Sequence, residues 1–103
     1  MSETRVSPDR CRTMAEVRHG VDRLDEQIVT LLAERFRYMD AAAQIKPDRE
    51  AVRDETRKAE VLANVRRLAD RSDVPVDVAE DLYERLVEGS IAYELVRFDA
   101  RRS

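Results

Sequence analysis

The stretch Met14–Ile45 reads MAEVRHGVDRLDEQIVTLLAERFRYMDAAAQI. Its apolar residues recur at alternating intervals of three and four, a pattern typical of one face of a long helix that packs against another helix. This stripe consists of Met14, Val17, Val21, Leu24, Ile28, Leu31, Tyr38, Ala42 and Ile45. Arg35 stands where the pattern calls for another apolar residue. Because a buried guanidinium needs an anion or water beside it, Arg35 is the first candidate site residue.

The length of this helix predicts a homodimer. At about 1.5 Å per residue the stretch spans about 48 Å, whereas a compact globule of this chain length is about 33 Å across. The residues after Ile45 are too few to cover so long an apolar stripe, but a second copy of the same helix could cover it. We therefore expect an intimate homodimer.

The composition predicts a single small all-helical domain. Of 103 residues, 40% are charged and 5% aromatic, with only 2 Gly and 3 Pro to mark turns. The net charge of −3 arises from mixed charges without a basic run, which argues against a nucleic-acid partner. No apolar run reaches the roughly 20 residues of a membrane span, and the N-terminus lacks the apolar core of a signal peptide. Cys11 is the single cysteine, so no internal disulfide can form, and a cytoplasmic location is expected.

Local signals divide the chain into a flexible lead-in, residues 1–12, and a helical domain, residues 13–100. Thr13 and Glu16 form a capping-box pattern at the start of the first helix. Pro47 predicts its end, because the residue before a proline avoids the helical conformation. The charged stretch 46–53 is predicted to be a loop.

Two shorter helices are expected after this loop. The second begins near Asp54 and ends at a turn over residues 71–76. The third is predicted to begin at Asp77, which forms a capping-box pattern with Glu80. The polar tail 99–103 is expected to fray.

Several polar side chains stand at positions that suggest a binding site. They are Arg18, Arg35, Lys46, Arg57, Ser90 and Glu94. Cations gathered around one cavity would bind a small molecule with several negative charges, and arginine suits carboxylates because its fork binds them in a bidentate manner. No glycine-rich phosphate loop, His/Cys metal cluster or Ser–His pair is present, so we expect neither a cofactor nor a metal. Such a pocket predicts binding, or catalysis by positioning and charge alone.

Other readings of these residues remain open. Most Lys and Arg side chains are solvated surface charges, Ser90 could be a small residue at a helix crossing, and Glu94 could be a surface acid. Arg35 could form a structural ion pair with Asp22 or Asp25 of a partner chain, which would contribute little net stability.

Four segments in order give the chain a resemblance to the all-helical chorismate mutases. VRHGVDRLDEQIVTLLAER, residues 17–35, resembles the first helix of that family, and Lys46 stands where the family places a lysine. AVRDETRKAEVL, residues 51–62, resembles the loop and the start of the second helix. EGSIAYE, residues 88–94, resembles the segment of the third helix that carries a Ser and a Gln or Glu. The resemblance covers residues 14–98.

The resemblance implies a three-helix subunit in an intertwined homodimer with shared active sites. It also implies a cofactor-free Claisen rearrangement of chorismate to prephenate, in which Arg18 reaches into the partner's site to bind a carboxylate. Arg35 and Arg57 would hold carboxylate groups of the substrate. The further roles implied are donation to the ether oxygen by Lys46, a second contact to that oxygen by Glu94, and orientation of the ring hydroxyl and a carboxylate by Asp54 and Ser90.

One departure from the family pattern opens a second enzymatic reading. Many relatives carry a Glu directly after the second-helix arginine, where it touches the substrate hydroxyl, and this chain has Lys58. The related isochorismate-pyruvate lyases of salicylate synthesis share the fold and most of the cations, and they also lack that Glu. Asp54 and Ser90 resemble the mutases more closely, so the mutase is favoured. A non-catalytic helical dimerisation module is the third reading.

Overall fold

A computed structural model describes residues 5–102 of the chain, and every regular element in that range is helical. The three α-helices are α1 (Met14–Ile45), α2 (Glu55–Arg71) and α3 (Val76–Arg102). Two short 3-10 helices, Pro8–Arg10 and Arg49–Ala51, precede α1 and α2. The predicted all-helical, three-helix architecture with a long first helix is therefore confirmed.

Helix α1 begins and ends where the sequence predicted. The Thr13 hydroxyl accepts a hydrogen bond from the Glu16 amide at 3.1 Å, and Glu16 accepts one from the Thr13 amide at 3.1 Å. This reciprocal pair is a capping box. The amide of Arg12 also donates to Glu16, at 2.7 Å, and these backbone hydrogen bonds lower the pKa of the Glu16 carboxyl.

The chain divides into two compact units, and the boundary between them lies within α1, between Arg37 and Tyr38. The N-terminal unit holds most of α1 and the residues before it. The first four residues of the lead-in lie outside the described range, so the flexibility expected for residues 1–12 stays a prediction. In the remainder of the lead-in, Pro8–Arg10 form the first 3-10 helix.

The C-terminal unit contains the hydrophobic core. Ala43 from the end of α1 and Val52 from the following loop pack with Val87, Ile91 and Phe98 of α3. Val61 of α2 and Leu95 of α3 are partly buried against this cluster. The loop is thus anchored at both ends by buried residues.

The ends of α2 follow from specific caps. Asp54 is the N-cap, and its carboxylate accepts a hydrogen bond from the Arg57 amide at 3.0 Å. At the other end Asp73 adopts the left-handed conformation with φ 61°, and the Val74 amide donates to the Ala69 carbonyl at 2.9 Å. A left-handed residue closing a helix in this way is a common helix stop.

Two expectations for α3 were wrong. The helix begins at Val76, and the Ala79 amide donates to the carbonyl of Pro75 at 3.1 Å, so Asp77 lies in the first turn and is not the N-cap. The helix also continues to Arg102, so the stretch 99–102 is helical instead of frayed. Within residues 5–102, no helix combines the length and the apolar character needed to cross a bilayer.

Candidate active site

Lys46 is the first residue after α1 and lies beside a buried acid. Its ammonium is 2.7 Å from Oε2 of Glu94, and it donates a hydrogen bond to the Val52 carbonyl at 3.3 Å. The Glu94 side chain is 5% exposed and the Lys46 side chain 28%. The lysine therefore connects α3 and the loop to the end of α1, while water still reaches its ammonium.

Glu94 and Ser90 lie one turn apart on α3 and are both buried, each at 3% exposure. The Ser90 hydroxyl donates to the Leu86 carbonyl at 2.7 Å. Although Oε2 of Glu94 contacts the lysine, it has no aligned hydrogen bond from any donor within residues 5–102. A buried carboxylate oxygen with unused hydrogen-bonding capacity is unusual and is typical of a functional group.

The start of α2 supplies two more of the predicted residues. Asp54 uses its carboxylate to cap the helix. Arg57 is exposed and forms an ion pair with Glu60 at 3.2 Å, one turn further along α2. The family pattern places both near the substrate, and the structure shows them engaged in local contacts.

Lys58 takes part in an ionic cluster between α2 and α3. Its ammonium lies 2.7 Å from both Glu84 and Glu88, and Arg53 binds Glu88 through both nitrogens of its fork, at 2.6 and 3.2 Å. Arg53 first and Lys58 second hold the pKa of Glu88 at about 2, while the hydrogen bonds that Lys58 donates to Glu84 and Glu88 raise the pKa of Lys58. The residue that departs from the family pattern thus has a structural role in joining α2 to α3.

Arg18 and Arg35 belong to the N-terminal unit. Arg18 is exposed on α1, and Arg35 is partly buried on the same helix. Of the predicted residues, the structure brings Lys46 directly against Glu94 and places Ser90 on the same buried face of α3. Participation of Arg18 and Arg35 in this site stays a prediction.

Sequence reasoning missed a polar cluster that joins α1 to α3. The Tyr93 hydroxyl donates to Asp40 at 3.0 Å, and Arg97 donates to the same carboxylate at 2.8 Å and to the Tyr93 oxygen at 3.2 Å. The hydrogen bonds that Arg97 donates, to Tyr93 first and to Asp40 second, raise the pKa of Arg97. The spacing of Tyr93 and Arg97 by four residues on one helix face was the available signal.

Within residues 5–102, no three His, Cys, Asp or Glu side chains are grouped in a way that suits a metal ion. At the end of α1 the ammonium of Lys46 lies against the buried carboxylate of Glu94, and Ser90 carries a buried hydroxyl one turn away from Glu94 on α3.

This architecture and residue order correspond to a known family. The family model for chorismate mutase type II matches residues 17–95. The chain therefore belongs to the chorismate mutase type II family. It is also similar to the isochorismate pyruvate lyase of Pseudomonas aeruginosa, with 28% identity over 89 residues that cover 86% of this chain and 88% of the relative.

Proposed function

We propose that this protein is a chorismate mutase, which rearranges chorismate to prephenate without a cofactor. The observation that carries the proposal is the Lys46–Glu94 pair, in which a buried carboxylate oxygen with unused hydrogen-bonding capacity lies 2.7 Å from an ammonium. In the rearrangement the ether carbon–oxygen bond breaks as a new carbon–carbon bond forms, so negative charge develops on the ether oxygen. Donors aimed at that oxygen stabilise the transition state more than the ground state.

Lys46 has a donor available for this task. An ammonium has three N–H donors, and the hydrogen bond to the Val52 carbonyl occupies one of them, while the ion pair with Glu94 is not an aligned hydrogen bond. A remaining donor can point toward a bound substrate. Arg18, Arg35 and Arg57 would hold the two substrate carboxylates, while Asp54 and Ser90 would orient the ring hydroxyl and a carboxylate.

Glu94 can assist only in its protonated form. An ionised carboxylate would repel the developing charge, whereas the acid can donate a hydrogen bond to the ether oxygen. Glu94→Gln supplies a permanent donor of similar shape, so this variant should retain turnover. A folded Glu94→Gln variant without turnover would contradict this role.

The proposal includes a homodimer with shared sites. Within the described chain the apolar stripe of α1 is largely exposed, at 49% for Val21, 54% for Ile28 and 64% for Leu31. A second α1 would cover these residues, and sedimentation should give the mass of two chains. Mixed dimers of Arg18→Ala and Arg35→Ala subunits should regain one intact site, whereas mixed dimers without activity would argue against sharing.

A second candidate is the isochorismate-pyruvate lyase reaction, which two observations favour. The similar protein from Pseudomonas aeruginosa is named for that reaction, and Lys58 stands where many mutases carry a Glu. Release of pyruvate from isochorismate also breaks the ether carbon–oxygen bond, so Lys46 and Glu94 would stabilise the same oxygen. The same site could therefore serve either substrate.

One assay separates these functions. The purified protein is incubated with chorismate and, separately, with isochorismate, and the products are identified by chromatography. Prephenate from chorismate supports the mutase, while salicylate and pyruvate from isochorismate support the lyase. Arg35→Ala should abolish most turnover, and Arg37→Ala, a change to an exposed arginine on the same helix, is the matched control. Turnover of neither substrate by the wild type would refute both enzymatic functions and favour the dimerisation module.

A further inference from the structure

The last turn of α3 holds the main chain at Lys46. Nη2 of Arg102 donates a hydrogen bond to the Lys46 carbonyl at 2.9 Å. This carbonyl belongs to the C-terminal end of α1, where a cation is favoured because unpaired carbonyls concentrate negative charge there. The guanidinium also lies 4.3 Å from the centre of the Phe98 ring, and Phe98 is itself buried in the core. Arg102 is thus fixed by one contact to α3 and binds α1 with the other.

A second contact joins the end of α3 to the loop that follows α1. Arg49 binds Asp99 through both sides of its fork, with Nε 3.0 Å from Oδ1 and Nη2 3.4 Å from Oδ2. Arg49 begins the 3-10 helix that leads to Val52, the buried residue whose carbonyl accepts from the Lys46 ammonium. The loop is therefore held by α3 at two positions on either side of Pro47.

We propose that Asp99 and Arg102 are positioning residues for Lys46, a role that rests on the function proposed above for that lysine. Arg102 fixes the backbone from which the lysine side chain extends, and Asp99 fixes the segment that delivers the Val52 carbonyl to the ammonium. Neither residue contacts Glu94, so their effect on the reaction passes through the placement of Lys46. An error of about 1 Å in the placement of a reacting group can lower the rate by about 100-fold.

This role differs from a contribution to global stability. The Arg49–Asp99 pair is about half exposed on both sides, and exposed ion pairs contribute little to the free energy of unfolding. Loss of either contact should therefore leave the fold intact while it releases the loop. The expected signature is a change in the environment of Lys46 without a change in the unfolding midpoint.

The experiment compares Arg102→Ala and Asp99→Ala with the wild type and with Arg101→Ala. Arg101 lies in the same turn, and no polar contact of its side chain is seen within the described residues, so its replacement controls for lost positive charge. Turnover number and KM are measured on whichever substrate the wild type converts, and acetylation of Lys46 by a water-soluble acylating reagent is followed by mass spectrometry. We expect the two variants to lose about tenfold in turnover number, with KM less affected and with faster acetylation of Lys46, because the ammonium leaves its contacts more often. Arg101→Ala should match the wild type in both measurements.

A charge exchange tests the loop contact independently. Arg49→Asp combined with Asp99→Arg should restore the slow acetylation that either single change abolishes. If Lys46 is acetylated at the wild-type rate in Arg102→Ala and in Asp99→Ala, the positioning role is wrong. The acetylation measurement does not require turnover, so it decides this role even if the protein converts neither chorismate nor isochorismate.

Discussion

Removal of Lys46 should destabilise the protein far more than neutralisation of its partner Glu94. At 2.7 Å, two opposite charges attract by about 6 kcal/mol at the effective dielectric constant of about 20 that suits protein sites. Desolvation of the pair offsets much of this attraction. In Lys46→Met the carboxylate, 5% exposed, is left without its cation, and we expect a loss of about 3 kcal/mol in the free energy of unfolding, at the lower end of the range for a broken buried pair.

Neutralisation of the acid should be much milder. In Glu94→Gln the ammonium keeps its bond to the Val52 carbonyl and, at 28% exposure, can gain water, so the expected loss is below about 1 kcal/mol. The double variant should recover about 2 kcal/mol of the loss caused by Lys46→Met, because the stranded charge is gone.

Urea unfolding at pH 7 measures the free energy of unfolding of the wild type and the three variants. One fixed protein concentration is used, since the stability of the proposed dimer would depend on concentration. The order of the two single variants is the critical result. Equal losses in the free energy of unfolding, or a larger loss for Glu94→Gln, would refute this reasoning. They would show that the Glu94 charge does not need Lys46 for its stabilisation, or that water cannot replace Glu94 beside the Lys46 ammonium.

Three further predictions concern Glu88, Asp73 and Arg35. Arg53 first and Lys58 second lower the pKa of Glu88 from 4.5 to about 2. The contribution of Glu88 to stability is therefore complete above about pH 4.5 and is lost as the pH falls toward 2. Thermal unfolding of Glu88→Gln should show a weaker dependence on pH in that window. Asp73→Gly should raise the free energy of unfolding by about 0.5 kcal/mol, because glycine adopts the left-handed conformation without strain, and chemical denaturation would reveal a decrease instead if the aspartate side chain stabilises the turn. Arg35→Ala should lower kcat/KM at least about 100-fold, with an unchanged circular dichroism spectrum, and a folded variant of near-normal activity would show that this arginine is structural.

The bounds of α1 were predictable because every signal for them is local. The apolar periodicity keeps the same phase on both sides of Arg35, Thr13 and Glu16 lie three residues apart, and Pro47 follows the last turn. The start of α3 was not predicted correctly because Asp77 and Glu80 imitate a capping box two residues too late. The backbone carbonyl of Pro75 accepts the first helical hydrogen bond. Because every residue has such a carbonyl, residue types give no signal for this contact.

In the candidate site, too, features with a local sequence signal were predictable, and contacts between distant residues were not. Periodicity placed Ser90 and Glu94 on one face of α3, and their burial confirms that placement. The contact of Glu94 with Lys46 joins residues that are distant in the chain, and only the family resemblance suggested it beforehand. Lys58 was recognised as a departure from the family, but its partners Glu84 and Glu88 lie on another helix, so no local pattern could reveal them.

The closed turn between α2 and α3 has a consequence for the order of folding. Only residues 72–75 separate these helices, so their contacts require the closure of a very short loop, which takes about 10–100 ns in a flexible chain. The Lys46–Glu94 contact instead joins segments 48 residues apart in sequence, and longer closures are entropically more costly. A hairpin of α2 and α3 should therefore form early, and the end of α1 should pack against it later. During refolding the Lys46 ammonium and the Glu94 carboxylate would come into contact among the last events. The circular dichroism signal of the helices should therefore appear before the candidate site is assembled.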